Sequence, residues 1–164
     1  MKNDLDLIKI AEQEFTLHGG IHNLDHGISH WHRVKELGRY LAKYTGADTK
    51  VTDYFAYFHD MKRENEGHDP YHGLRAAQLI YKLHDGGELD LSKMQWIQLT
   101  IACIFHCLPE DESKDITIKT CYDADRLDLW RVGVTPDPSL LNTAKAKEPE
   151  SIEFAMKLYE NWKK

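Results

Sequence analysis

Residues 51–60 read VTDYFAYFHD, and this stretch decides the fold. Val51, Tyr54, Phe55 and Phe58 recur at the i, i+3, i+4 and i+7 positions that share one face of an α-helix. A helix with so apolar a face is expected at the centre of the molecule. The two residues that end the stretch are a histidine and an aspartate, so polar side chains follow directly on the most apolar helix.

Outward from this stretch, helical spacing of apolar residues continues nearly everywhere along the chain. The strict alternation and the enrichment in β-branched residues that are typical of strands do not occur. The pattern predicts an all-α helical bundle, with helices over about residues 4–17, 27–45, 49–64, 70–83, 92–108, 118–130 and 149–162. Residues 133–150 either pack over a pocket as a lid or route the chain to the last helix.

Length and composition limit the class of protein. The chain has 164 residues, of which 41% are hydrophobic, and its mean hydropathy is −0.59, as expected for a single domain over residues 1–164. No apolar run approaches the roughly 20 residues that span a bilayer, and the first residues do not read as a signal peptide. A cytoplasmic protein without membrane contacts is therefore expected. With 27 acidic and 21 basic residues and no basic cluster, duplex nucleic acid is not an expected partner.

Six histidine and aspartate side chains fall on apolar helix faces or at helix ends: His30, His59, Asp60, His72, His106 and Asp125. Burying an unpartnered neutral polar group costs about 2–7 kcal/mol, and a carboxylate costs more. One or two divalent cations, such as Mn, Fe, Zn or Mg, would satisfy all six groups. Taken singly, each histidine could be a hydrogen-bonded core residue, and Asp125 could pair with Arg126 or Arg75. Their occurrence on five different helices favours a metal.

The order of these residues resembles the HD superfamily of metal-dependent phosphohydrolases, all-helical enzymes named after an adjacent His-Asp pair. The resemblance covers Gly27 to Val132 and rests on HWHRV at 30–34, FHD at 58–60 and DADRLD at 123–128. It implies that one metal ion is held by His30, His59, Asp60 and Asp125. The Ala-Asp-x-Leu context favours position 125 over position 123 as the last ligand.

The same resemblance implies a second metal ion. Tyr71-His72-Gly73 and Phe105-His106 fall where two-metal branches, such as the HD-GYP phosphodiesterases, have additional histidines. Asp60 would then bridge the two ions. Arg63 stands where HD 5′-nucleotidases have a glutamate, and the Gly-Tyr-Pro signature is absent. Neither the nucleotidase mechanism nor cyclic-di-GMP specificity is therefore expected, and the chain is most similar to small stand-alone bacterial HD proteins.

The implied function is hydrolysis of a phosphomonoester or phosphodiester, such as a nucleotide or another small phosphorylated substrate, by a metal-activated water. Asp60, Arg63 and Arg126 are the expected catalytic residues, because guanidinium groups suit phosphoryl oxygens and the carboxylate holds the metal. The expected substrate-binding residues are His26, Lys62, Arg63, His68 and Arg126.

Three alternatives remain open. Cys103, His106, Cys107 and Cys121 could form a structural zinc site, but no second paired motif completes it, so Cys103 and Cys107 are expected to be packing residues. The protein could instead be a non-catalytic or very slow metal-containing module that senses a nucleotide. It could also be a helical interaction protein that uses its aromatic residues at a partner interface.

Overall fold

The computed structural model describes residues 4–17, 25–65, 67–108 and 113–162. Within these ranges the chain forms no strand and seven α-helices: α1 Asp4–Leu17, α2 Ile28–Thr45, α3 Thr49–Phe58, α4 His72–Asp85, α5 Lys93–Phe105, α6 Ile116–Leu127 and α7 Pro149–Trp162. Two 3-10 helices, Asp128–Val132 and Pro138–Leu140, lie between α6 and α7. None of the described helices combines the length and apolar character needed to cross a membrane. The all-α fold expected from the apolar spacing is confirmed.

Helix α3 lies at the centre of the bundle. It packs against α1, α2, α5 and α6, and the Asp48 carboxylate caps its first backbone N–H groups. Phe55 and Phe58 are fully buried, and burying a side chain of this size stabilises the fold by about 1.5–3 kcal/mol. The polar pair that follows α3, His59 and Asp60, is thereby placed in the interior.

Several helices begin or end at residues other than those that the apolar pattern predicts. α3 ends at Phe58, and α5 ends at Phe105, so both helices are shorter than predicted. α4 begins at His72, two residues later than expected. At each of these places a histidine ring makes a hydrogen bond to a nearby backbone carbonyl. The polar side chains of interest therefore lie at helix ends, where the chain turns and several helices meet.

Helices α4 and α5 approach each other closely at Gly73. A Cβ atom at this position would lie 2.0 Å from the carbonyl oxygen of Cys103, so any other residue would force the two backbones apart. His72 immediately precedes this glycine, and His106 follows Cys103 by three residues. The close approach therefore brings the two histidines together.

The connection between α6 and α7 is tied to α6 through Asp123. Its carboxylate accepts hydrogen bonds from the backbone N–H groups of Asn142 and Thr143, both at 2.7 Å, and from their side chains. Leu141 is buried beside them. Asp123 therefore has a structural role, because it holds the connection between α6 and α7 against α6.

Candidate metal centre

One group of ligand-type side chains comes from α2, the end of α3 and α6. His30 in the first turn of α2, His59 just after α3 and Asp125 in α6 meet in the interior. The Nε2 atoms of the two histidines are 3.1 Å apart, and Nε2 of His30 lies 3.4 Å from Oδ1 of Asp125. We call the site formed by these three residues the first position.

A second group comes from the start of α4 and the end of α5. Nε2 of His72 lies 2.9 Å from Nε2 of His106. Sγ of Cys107 lies 3.3 Å from the former nitrogen and 3.2 Å from the latter. We call the site formed by His72, His106 and Cys107 the second position.

The carboxylate of Asp60 lies between the two positions. Its Oδ2 atom is 3.4 Å from Nε2 of His59 and 3.6 Å from Nε2 of His30. Its Oδ1 atom is 3.0 Å from Nε2 of His72 and 3.6 Å from Nε2 of His106. One oxygen thus faces each position, which is the arrangement of a bridging ligand.

The group that faces Nδ1 of each of the four histidines determines which ring nitrogen carries the proton. Each Nδ1 atom faces an acceptor: the carboxylate of Asp128 behind His30, and the backbone carbonyls of Phe55, Asp69 and Cys103 behind His59, His72 and His106. Because these acceptors carry no proton, Nδ1 must donate, and a neutral imidazole then presents a bare Nε2. In the neutral form, each of the four rings therefore points a bare nitrogen into the cluster.

This donor set fits divalent metal ions. Bare nitrogens and carboxylate oxygens that face one another at 2.9–3.6 Å repel unless positive charge lies between them. A proton would join a single pair of these atoms, whereas a divalent cation would satisfy all of them. In addition, Oδ1 of Asp125 is buried without a hydrogen-bond partner among the described residues. Imidazole nitrogens and carboxylate oxygens are ligands of first-row divalent ions, so the chemistry of the residues fits the metal expected from the sequence.

The protonation states around the first position suit a metal as well. Burial lowers the pKa of His59, which keeps the ring neutral. Burial opposes the charge on Asp60, but His59 and the hydrogen bonds from the surrounding histidines hold the pKa of this carboxyl well below its ordinary value. Burial likewise opposes the charge on Asp125, yet the adjacent His30 ring and the charge of Arg131 keep the pKa of this carboxyl low. The carboxylates are thus ionised and ready to bind a cation.

The second position attracts positive charge. Burial opposes protonation of His72, but its hydrogen bonds to Asp60 and Cys107 raise the pKa to about 9. The pKa of His106 is raised for the same reasons. Desolvation raises the pKa of the Cys107 thiol, but the two histidines outweigh it and lower the pKa to about 7. The same groups that draw a proton here would draw a metal ion.

Asp128 and Arg33 support the first position, and neither residue is among those predicted from the sequence. Asp128 accepts the Nδ1–H of His30 at 2.7 Å and is held by Arg33 through two hydrogen bonds of 2.6 and 2.9 Å. Such a carboxylate behind a ligating histidine fixes the ring and increases its basicity. The spacing in the sequence could have indicated Asp128, because this residue follows Asp125 by three positions and so lies one helical turn further on.

Two arginines lie beside the carboxylates of the cluster. Nε of Arg63 donates to Oδ1 of Asp60 at 3.1 Å, which places this guanidinium beside the cluster. Nη2 of Arg131 lies 3.6 Å from Oδ1 of Asp125, and its buried Nε has no hydrogen-bond partner among the described residues. Arg131 lies in the 3-10 helix beyond α6 and is not among the residues predicted from the sequence.

Arg126 lies at the edge of a pocket that opens beside the cluster. The pocket has a volume of about 230 Å³, and its wall includes His106, Cys107, Asp125 and Arg126 together with Pro136, Leu140 and Leu141 of the connection. The guanidinium of Arg126 donates to the backbone carbonyls of Leu108 and Leu140, both at 2.7 Å. The connection is thus a fixed wall of the pocket.

The remaining predicted substrate-binding residues are not brought to this pocket. Lys62 extends toward α1, where its Nζ atom is 2.7 Å from Glu14. His68 is exposed in the loop before α4. His26 is buried with its ring centroid 6.3 Å from that of His30, and burial lowers its pKa to about 3. His26 is therefore neutral near the cluster and holds no proton for acid catalysis at neutral pH.

The three cysteines do not all have the environment that the sequence predicts. Cys103 and Cys121 are buried in the core, and neither belongs to a group of possible metal ligands in the described part of the chain. Cys107, expected to be a packing residue, is exposed and points its sulfur at the second position. The proposed four-ligand zinc site from all three cysteines is therefore not assembled.

Comparison with solved structures shows that this chain shares its fold with a protein described as a predicted HD superfamily hydrolase. A crystal structure described as a predicted HD superfamily hydrolase, from an uncultured Thermotogales bacterium, matches with a TM-score of 0.68. The match covers 96% of this chain and 87% of the other, at 23% sequence identity. No protein-family model and no curated protein matches the sequence. The fold implied by the resemblance is confirmed.

Proposed function

We propose that the protein is a metal-dependent phosphohydrolase that acts on a small phosphorylated substrate. The observation that carries this proposal is the Asp60 carboxylate, which lies between two histidine pairs whose bare nitrogens converge on it. A divalent cation between these groups would satisfy the histidine nitrogens and the carboxylate oxygens together. The HD-superfamily fold supports a hydrolase, because the similar structure is described as a predicted member of that class.

The residues of the cluster would have separate roles in hydrolysis. A bound divalent ion would polarise a phosphoryl oxygen and lower the pKa of a water. Asp60 would hold the two positions together, and Asp125 would complete the first. Arg63 and Arg131 lie close enough to these carboxylates to neutralise charge that develops on a phosphoryl group nearby.

The pocket supports a small substrate. Its volume of about 230 Å³ lies below the roughly 300–1,000 Å³ of pockets for drug-sized ligands. It suits a phosphoryl group and a small leaving group, and a nucleotide would extend its base to the outside. Arg126 at the edge uses one N–H of each Nη for backbone carbonyls, so its remaining donors are candidates for phosphate oxygens.

The test is turnover by protein purified without a histidine tag. Aryl phosphates, bis-aryl phosphodiesters and nucleotides are offered with Mn, Fe, Zn or Mg, and phosphate or phenolate release is followed. We expect hydrolysis that requires the metal and is abolished in Asp60→Asn. Asp90→Asn is the matched control, because Asp90 is an exposed aspartate paired with Lys50, and it should retain full activity.

Two outcomes would count against the proposal. Protein that binds metal but releases no product from any substrate under any of the four ions would favour the nucleotide-sensing module. Protein that neither binds metal nor turns over would remove the basis for both.

A further inference from the structure

We propose that Cys107 supplies a sulfur ligand to the second position, so that the two positions differ in ligand chemistry. The first position offers two imidazoles and carboxylates, whereas the second offers two imidazoles, a thiolate and one oxygen of Asp60. This inference rests on the proposed metal centre and deepens it. It assigns zinc or another ion that favours thiolates to the second position.

The distances match a shared ion. The Sγ atom of Cys107 and the Nε2 atoms of His72 and His106 form a triangle with sides of 2.9, 3.2 and 3.3 Å. With Zn–N near 2.05 Å and Zn–S near 2.3 Å, a tetrahedral site places such atoms roughly 3.3–3.6 Å apart. Small outward movements of these side chains would therefore admit the ion. Oδ1 of Asp60, 3.0 Å from Nε2 of His72, supplies a fourth ligand.

Other roles explain the position of this sulfur less well. Packing does not account for an exposed side chain. Hydrogen bonds explain it less well than an ion, because bonds from both rings to the sulfur would need a second proton on each imidazole, whereas one ion at the common point satisfies the sulfur and both nitrogens. Both rings are almost fully buried, at 1% and 5% exposure, and both are fixed from behind by backbone carbonyls. The three atoms are thus held in place around a common point.

Cobalt gives a readout that does not depend on activity. Metal-free protein is titrated with Co²⁺, and the absorption spectrum is recorded for the wild type and for Cys107→Ser. We expect a thiolate-to-cobalt charge-transfer band in the near ultraviolet for the wild type and its loss in the variant, while the visible bands of the first position remain. Because Cys107 is exposed, the substitution should leave the fold intact, which circular dichroism checks. Cys103→Ala, in the buried cysteine outside the cluster, should keep the band.

Alkylation provides a second, independent readout. In metal-free native protein, iodoacetamide should modify Cys107 and spare the two buried cysteines. Saturating Zn²⁺ should slow this modification at least about tenfold, because a ligating thiolate is no longer free to react. Zinc should also bind the second position at least about tenfold more weakly in Cys107→Ser.

The results separate the two proposals. If metal binds and hydrolysis occurs, but the charge-transfer band is absent and zinc does not protect Cys107, the sulfur is not a ligand and the proposed function stands. If no metal binds the wild type, both proposals fail.

Discussion

The two positions of the centre are built from different kinds of support. In the first, His30 is fully buried, and its Nδ1 atom is held by the charged pair of Asp128 and Arg33. In the second, His72 and His106 are held by backbone carbonyls, and one wall is an exposed thiol. A charged pair from distant parts of the sequence therefore holds the His30 ring of the first position, whereas the local backbone at two helix ends holds both rings of the second.

Because the supports differ, a substitution in one support should weaken metal binding at one position only. A change at Asp128 should weaken the first position and leave the second intact. A substitution that moves α4 away from α5 should weaken the second position and leave the first intact. Only Asp60, which faces both, should affect the two together.

The largest effect is expected from Asp60→Asn. The amide keeps the shape of the side chain but removes the charge that faces both histidine pairs, so both ions should bind far more weakly. We expect hydrolysis to fall by more than about a hundredfold, measured as kcat/KM at a fixed metal concentration. Loss of one ion alone would show that this carboxylate does not bridge.

The next effect is expected from Gly73→Ala. The added methyl group would meet the Cys103 carbonyl and push α4 away from α5, at a cost of about 1–3 kcal/mol in unfolding free energy. We expect metal content to fall at the second position only, as read by elemental analysis together with thermal unfolding. Gly67→Ala is the control, since the nearest atom to its Cβ is a side-chain oxygen at 3.4 Å. Equal losses in both variants would refute the role given to the close approach.

A smaller effect is expected from Asp128→Asn. The ring of His30 would lose its ionised partner, and Arg33 would lose its counter-charge. We expect the affinity of the first position to fall about 10–100-fold in a calorimetric metal titration, with the second position unchanged. Asp53→Asn serves as the control, because Asp53 forms a similar two-point pair with Arg39 outside the cluster. Equal weakening of both positions by Asp128→Asn would contradict the separate supports.

Much of the first position was predictable from the sequence. His30 and Asp125 continue the buried stripes of their helices, and the His59-Asp60 pair ends the most apolar one, so periodicity alone places these side chains in the interior. Periodicity also singled out His72 and His106, and the resemblance assigned these two histidines to a second ion. All six residues are brought together in the structure, which agrees with the sequence-based set.

The parts that sequence reasoning missed depend on where helices stop and on contacts between distant segments. The apolar pattern carries α5 through position 108, but the helix ends at Phe105, and the turn that follows aims Cys107 at the second position. Lys62 was expected at the substrate, but α1 packs against α3 and presents Glu14 to it. Neither the turn nor that pairing is visible in local periodicity.

The smallest effect concerns the loop that carries His72. The carboxylate of Asp69 accepts hydrogen bonds from the backbone N–H of Glu64 and from Arg75. Burial opposes its charge, but these partners lower its pKa. Because the folded pKa is depressed, ionised Asp69 stabilises the fold above its ordinary pKa, and this contribution is lost as the pH falls through the folded value.

Asp69→Asn should therefore reduce the unfolding free energy by about 1 kcal/mol at about pH 6, and this difference from the wild type should shrink below about pH 4. Urea denaturation of both proteins at the two pH values measures it. A difference that does not change with pH would show that the charge of Asp69 contributes nothing.

The metal content of untagged protein tests the central claim most directly. The wild type and Asp60→Asn are incubated with Mn, Fe or Zn, dialysed against metal-free buffer and subjected to elemental analysis. The bridged arrangement predicts about two first-row ions per wild-type chain and a large loss of both in the variant. Folded wild-type protein that retains no metal, or a variant that retains as much as the wild type, would contradict it.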